Sequence, residues 1–256
     1  MKRSSTILTI TSGKGGVGKS LVSVNLAEKL VALGHRVALV DADFGQGACP
    51  ILLNEQPGGS VLGMVRHESR KTDVLHKTQS GLTLVQAVDD SAGADRFEDK
   101  VFDQLDRLLS ALKRTHTFII IDTPAGMGNP VRWALDRADI GLLVLVGEPT
   151  AIADAYRLVK LVRATEPKYP LGTVINFAEN EDEATDISAR FSKITAHFTG
   201  QETMFFGWVP FSPEMRRSVN EQHPAIYTPG AVTEAFTNLA QRLIHGKVEA
   251  LSHAAS

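Results

Sequence analysis

Short apolar runs alternate with longer amphipathic stretches along almost the whole chain. Runs at 6–11, 36–40, 82–86, 117–121, 140–146, 171–176 and 204–209 predict strands. Several, such as "FIIID" and "IGLLVLV", are apolar nearly throughout, the pattern of strands covered on both faces. Helical periodicity fills 20–33, 97–114, 151–164, 182–198, 213–222 and 231–245. Strand and helix in repeated turn predict an α/β fold, a mostly parallel twisted sheet with helices on both faces. Crossovers should be right-handed and a ligand should lie at the carboxyl ends of the strands. Loops are expected over 43–59 and 87–95, a solvated acidic face over 179–183, and a frayed tail after His245. With no linker or internal repeat, 1–256 reads as one domain.

The first strand runs into "TSGKGGVGKS", which meets Gly-x-x-x-x-Gly-Lys-[Ser/Thr] with Gly13, Gly18, Lys19 and Ser20. Strand, glycine loop and helix in that order make this a phosphate-binding loop and place the chain among P-loop NTPases. Backbone N–H groups from Gly15 and Gly16 through Val17 and Gly18 to Ser20 would surround a phosphate at the helix's positive end. Lys19 would reach the terminal phosphates, and the Ser20 hydroxyl would ligate Mg2+. Lys14 is one lysine more than such a loop needs. At the loop's outer lip it is placed to reach across an interface, to phosphates held by a second subunit.

Two carboxylates, Asp41 and Asp43, follow the second apolar run in "ALVDADFG". Two residues apart on an extended strand, they should point the same way and suit Mg2+, which keeps waters and takes few protein ligands. Asp122 ends a further buried run in "TFIIIDTPAGMG", before a glycine-containing loop. Asn176, at the end of "TVINFAEN", can offer its amide to a base, and Pro210 in "FFGWVPFS" a flat apolar neighbour. The absence of an Asn/Thr-Lys-x-Asp guanine motif favours ATP over GTP.

Composition narrows the classes. The 256 residues carry a formal charge of −2 and a pI of about 6.4, so no global basic field draws them to nucleic acid or lipid. Cys49 is the only cysteine, which excludes an internal disulfide and any Cys-pair metal motif. Two such chains supply two thiolates, short of the four an iron–sulfur cluster normally takes. Tyr156, Tyr169 and Tyr227 are too widely spaced for the C-terminal cluster of a bacterial tyrosine kinase. No apolar run approaches the ~20 residues of a membrane-spanning helix, and the basic "MKR" start leads straight into a strand rather than a signal peptide. A soluble, cytoplasmic protein is expected.

"KGGVGKS" resembles the deviant Walker A motif of the MinD/ParA ATPases, and the resemblance runs from the first strand to the last helix. It implies an ATP-dependent homodimer in which Lys14 acts across a nucleotide sandwich, and slow hydrolysis that dissolves it. It also implies that Asp43 orients the attacking water, that Asp41 supports the Mg2+ shell, and that Asp122 holds a Mg2+ water in a loop sensing the γ-phosphate. Asn176 and Pro210 match positions around adenine.

Within that family, "EPTAIADAYRLVKLV" and "VPFSPEMRRSVNEQHP" resemble the FlhG/FleN regulators of flagellar number. The implied partners are a flagellar switch component, an FlhF-type GTPase or a transcription regulator, with a polar or transient membrane location. Three features depart from that subgroup. Its N-terminal activation motif is not found before the first strand, Ala48 stands where an asparagine is usual, and a basic membrane-targeting helix is not evident. The final helix reads as a core helix, with Val232, Phe236, Leu239, Ala240, Leu243 and Ile244 on one face. DNA contact through Arg190, Lys193, Arg216 and Arg217 is the less favoured expectation.

Overall fold

A computed structural model describes residues 5–45, 47–89 and 94–253, with side chains for all of these but 95 and 247–253. The basic start, part of the 87–95 loop and the last residues of the expected tail therefore lie outside the described residues.

The strands are β1 (Thr6–Thr11), β2 (Val37–Asp41), β3 (His76–Lys77), β4 (Thr83–Gln86), β5 (Phe118–Asp122), β6 (Ile140–Leu145), β7 (Leu171–Ala178) and β8 (Met204–Pro210). They form one sheet in the order β3-β4-β2-β5-β1-β6-β7-β8. Every neighbouring pair is parallel except β3 with β4. The mostly parallel α/β sheet expected from the sequence is present.

Successive strand residues serve opposite faces, as the pleat requires. Leu8, Leu39 and Ile120 join the core under α1 (Lys19–Ala32), α7 (Pro149–Thr165), α8 (Glu181–Thr199) and α10 (Ala231–His253). Their neighbours Ile7, Val40 and Ile121 join the core under α3 (Val61–Val65), α5 (Glu98–Leu112) and α6 (Asn129–Leu135). On α5, Val101, Leu105, Leu108, Leu109 and Leu112 form the buried stripe.

Several boundaries differ for local reasons. Helix α7 starts at Pro149, whose missing N–H costs nothing in a first turn. In α8 the side chain of Asn180 accepts from Glu183 N, and the acidic stretch becomes a first turn whose charges suit the helix's positive end. The loop expected over 43–59 contains α2 (Cys49–Leu52), and α4 (Lys71–Val74) lies between α3 and β3. Helix α9 (Pro213–Asn220) lies within the expected span. Helix α10 runs to His253, past His245, where a frayed tail was expected to begin. Its Val232, Phe236, Leu239, Ala240 and Leu243 are buried in the core. No helix among the described residues is long and apolar enough to cross a membrane.

Candidate functional site

The chain leaves β1 towards β2 on one side and its neighbour β6 towards β7 on the other, so a crevice opens at their carboxyl ends. The glycine loop fills that position, and Lys19 and Ser20 begin α1. Two glycines are set by close approach. At Gly13 a Cβ would stand 2.2 Å from the backbone carbonyl carbon of Asp154 in α7. Gly18 has φ +83°, and its Cβ would meet the Asn176 amide nitrogen at 2.2 Å. Around Gly15 and Gly16 the space is open, leaving room for a ligand against the backbone.

The carboxyl ends of β2 and β5 bring Asp41 and Asp122 side by side as register partners. Both are buried. Asp122 accepts from Ser20 Oγ at 2.7 Å through one oxygen and from Ser23 Oγ at 2.7 Å through the other. Asp41 accepts from Cys49 N at 3.0 Å and from Asp43 N at 3.2 Å, so it ties both ends of the following loop to the strand. Burial raises the pKa of both carboxyls. The Asp122 charge raises that of Asp41 further, whereas Lys19 and the serine hydroxyls pull Asp122 back. Burial also holds the Cys49 thiol well above its usual value. Asp41, Cys49 and Asp122 each offer an atom within 4.8 Å of the others. Two buried carboxylates facing each other make a place for a cation, and with the Ser20 hydroxyl they fit Mg2+.

Asp43 is not part of that pair. The strand ends at Asp41, the chain turns, and the Asp43 carboxylate accepts from Gly45 N at 2.9 Å. Ala42 N still donates to Asp122 O at 2.8 Å, and the turn itself begins at Phe44.

Lys14 has partners at the head of α7. Its Nζ lies 2.7 Å from Glu148 Oε2 and 3.1 Å from Thr150 Oγ1 at the start of α7 in the same chain. Within this chain Lys14 is therefore paired with Glu148. The loop after β5 is pinned to the glycine loop by Gly126 N donating to Ser12 O at 2.9 Å.

Asn176 Nδ2 donates to Val17 O at 2.8 Å, which holds the glycine loop from β7. Its Oδ1 is buried with no hydrogen-bond partner among the described residues. Pro210 is buried at the end of β8. The exposed apolar surface there is Phe211, 73% exposed and edge-on to Phe177. Sequence reasoning missed Phe211, Ser23, Glu148, Thr150 and Cys49. For Ser23 there was a signal, since it lies one helical turn beyond Ser20 on α1.

The match to a sequence model of the family described as "ParA: NUBPL iron-transfer P-loop NTPase" spans residues 3–244. Antiactivator FleN of Pseudomonas aeruginosa is 31% identical over 95% of this chain and 86% of its own length. Flagellum site-determining protein YlxH of Helicobacter pylori is 27% identical, over 86% of this chain and 75% of its own. The septum site-determining protein MinD of Pyrococcus horikoshii, solved with Mg-ADP, superposes with a TM-score of 0.74 at 24% identity, covering 93% of this chain and 96% of that one. The glycine loop at the head of β1, the buried carboxylates beside it and these likenesses agree, and the chain belongs to the ParA family of P-loop NTPases, among its MinD/ParA ATPases.

Proposed function

We propose that this chain is an ATP-hydrolysing dimerisation switch that regulates the number and placement of flagella. The nucleotide part rests on one observation above all, the buried Asp41–Asp122 pair beside Ser20 at the foot of the glycine loop. The flagellar part rests on the likeness to FleN across almost the whole chain.

The loop from Gly13 to Ser20 and the first turn of α1 hold the phosphates, with Lys19 neutralising them. Ser20 spends its hydroxyl proton on Asp122, which leaves its oxygen lone pairs free to face a cation. Mg2+ held by Ser20, Asp41 and Asp122, with Asp43 at the rim, would offset charge on the β- and γ-phosphates. Asp43 lies on the turn after β2, where it orients the attacking water. Asn176 Oδ1, buried without a partner, accepts from the amino group of adenine, and Pro210 and Phe211 wall the ring. Lys14 leaves Glu148 to meet the phosphates of a second copy, a cation donated in trans that in such enzymes is worth ~10³–10⁵ in rate. Loss of the γ-phosphate releases the loops after Asp41 and Asp122, and with them the dimer.

Capture of partners from a flagellated host tests the client. Asp43→Ala loaded with ATP serves as bait and Lys19→Ala as control. Enrichment of flagellar switch components, an FlhF-type GTPase or a flagellar transcription regulator supports the reading. Enrichment of DNA or division proteins instead would keep the ATPase switch and remove its flagellar role.

A further inference from the structure

The segment after β2 carries Asp43 but offers few groups to hold it in place. Over 43–48 it reads "DFGQGA", in which Phe44 is the single large apolar side chain. Asp41 ties the ends of the segment through Asp43 N and Cys49 N, and neither bond fixes the turn between them. Phe44 anchors that turn. Half-buried, it packs on the core under α5 and α6. Its ring centroid lies 5.3 Å from that of Phe102 on α5, and Phe102 stacks on Trp133 of α6 at 5.5 Å with the planes 10° apart.

The far end of this row of rings is locked. Trp133 is buried and donates through Nε1 to Asp106 Oδ1 on α5 at 3.1 Å. Arg137 pairs with both oxygens of the same carboxylate and lies over the indole at 5.0 Å. Helix α6 begins shortly after the loop that follows Asp122. The rings therefore span from the loop after β2 to the helix behind the loop after β5, and ring contacts of this kind favour particular geometries.

We propose that Phe44 is a positioning residue for hydrolysis: seated on Phe102 and through it on Trp133, it fixes the turn beside Asp43 and so sets where that carboxylate holds the attacking water. The inference rests on reading Asp43 as the residue that orients water. Misplacing a reacting group by about 1 Å can cost on the order of 10²-fold in rate. The phosphates are held elsewhere, by the glycine loop, so Phe44 acts on turnover and not on nucleotide affinity.

Single-turnover release of labelled phosphate and the Kd for a fluorescent ATP analogue, both with Mg2+ and the full chain at a concentration where wild-type activity per chain is level, test this. Phe44→Ala should turn over about 10- to 100-fold more slowly, with a Kd within about threefold of wild type. Phe102→Leu, which removes the ring's seat without touching the loop, should slow turnover in the same way, and Phe44→Tyr, which keeps the ring, should restore most of the rate. Circular dichroism checks the fold of each. Groups that act as a unit are not additive, so Asp43→Ala with Phe44→Ala should be no slower than Asp43→Ala alone. Undiminished turnover by Phe44→Ala or Phe102→Leu, a Kd that rises in step with the lost rate, or a double variant slower than Asp43→Ala overturns the proposal. Undiminished turnover by Asp43→Ala would remove the reading of Asp43 itself, and the proposal with it.

Discussion

Replacing Glu148 by Gln should make the protein a better dimer. Lys14 Nζ is held 2.7 Å from Glu148 Oε2, and the two side chains are 38% and 62% exposed. A pair so open to water is worth about 0.2–1 kcal/mol net, well below the bare Coulomb attraction at that distance. If both lysines of a dimer must leave their glutamates, the cost is about 0.4–2 kcal/mol per dimer. At 1.4 kcal/mol per tenfold, Glu148→Gln should lower the ATP-bound dimer dissociation constant about 2- to 30-fold. Sedimentation or light scattering across a dilution series with non-hydrolysable ATP reads this directly. Salt supplies a second arm: raising ionic strength from 0.01 to about 0.5 M screens the pair and should bring wild type towards the variant. A variant that dimerises equally well at low salt would refute this release of Lys14 from Glu148, and one that dimerises less well would assign Glu148 to the dimer contact itself.

Three further perturbations follow from single contacts. Gly13→Ala drives a Cβ into the backbone of Asp154 and Ala155, and should cost about 1–3 kcal/mol of stability together with nucleotide binding; an unchanged melting curve contradicts the close packing of loop on α7. Asn176→Ala leaves Val17 O unpaired, a loss of about 1–3 kcal/mol, so the Kd for a fluorescent ATP analogue should rise about 5- to 150-fold; an unchanged Kd would mean that the amide does not hold the loop. Glu28, buried in α1, accepts from Tyr227 Oη at 2.6 Å and Ser80 Oγ at 3.0 Å, and burial raises its pKa above the ordinary 4.5. A raised folded pKa stabilises the fold below the ordinary value and loses that contribution as pH rises through the folded one. Glu28→Gln should therefore melt progressively higher relative to wild type as pH goes from 4.5 to about 7.5, and the opposite trend would refute it.

The parts of the site legible in the sequence are those fixed by local pattern. Asp122 could be placed because an unbroken apolar run announces a buried strand, and a carboxylate at its end faces the ligand crevice. Glycine spacing and the following helix placed Lys19 and Ser20 in the same way. The hydrogen bonds that fold the chain after Asp41 were not legible, because nothing in "DADFG" marks where extension stops. Short elements such as α2 and β3 carry too few residues to show a period. Helix α6 is masked by Gly128 and Pro130 at its start. Contacts between distant segments leave no local trace. Lys14 meets Glu148 from 134 residues away, and Asn176 reaches Val17 across 159. Cys49 reads in the sequence only as a lone cysteine, and the folded loop brings it to the carboxylates.

The central claim is that ATP builds a dimer through Lys14. Specific ATPase activity measured against protein concentration, for wild type and Lys14→Ala, tests it most directly. Wild-type activity per chain should climb with concentration and then level off, while Lys14→Ala binds ATP but stays low and flat throughout. Activity per chain independent of concentration, with Lys14→Ala turning over as wild type does, would contradict it.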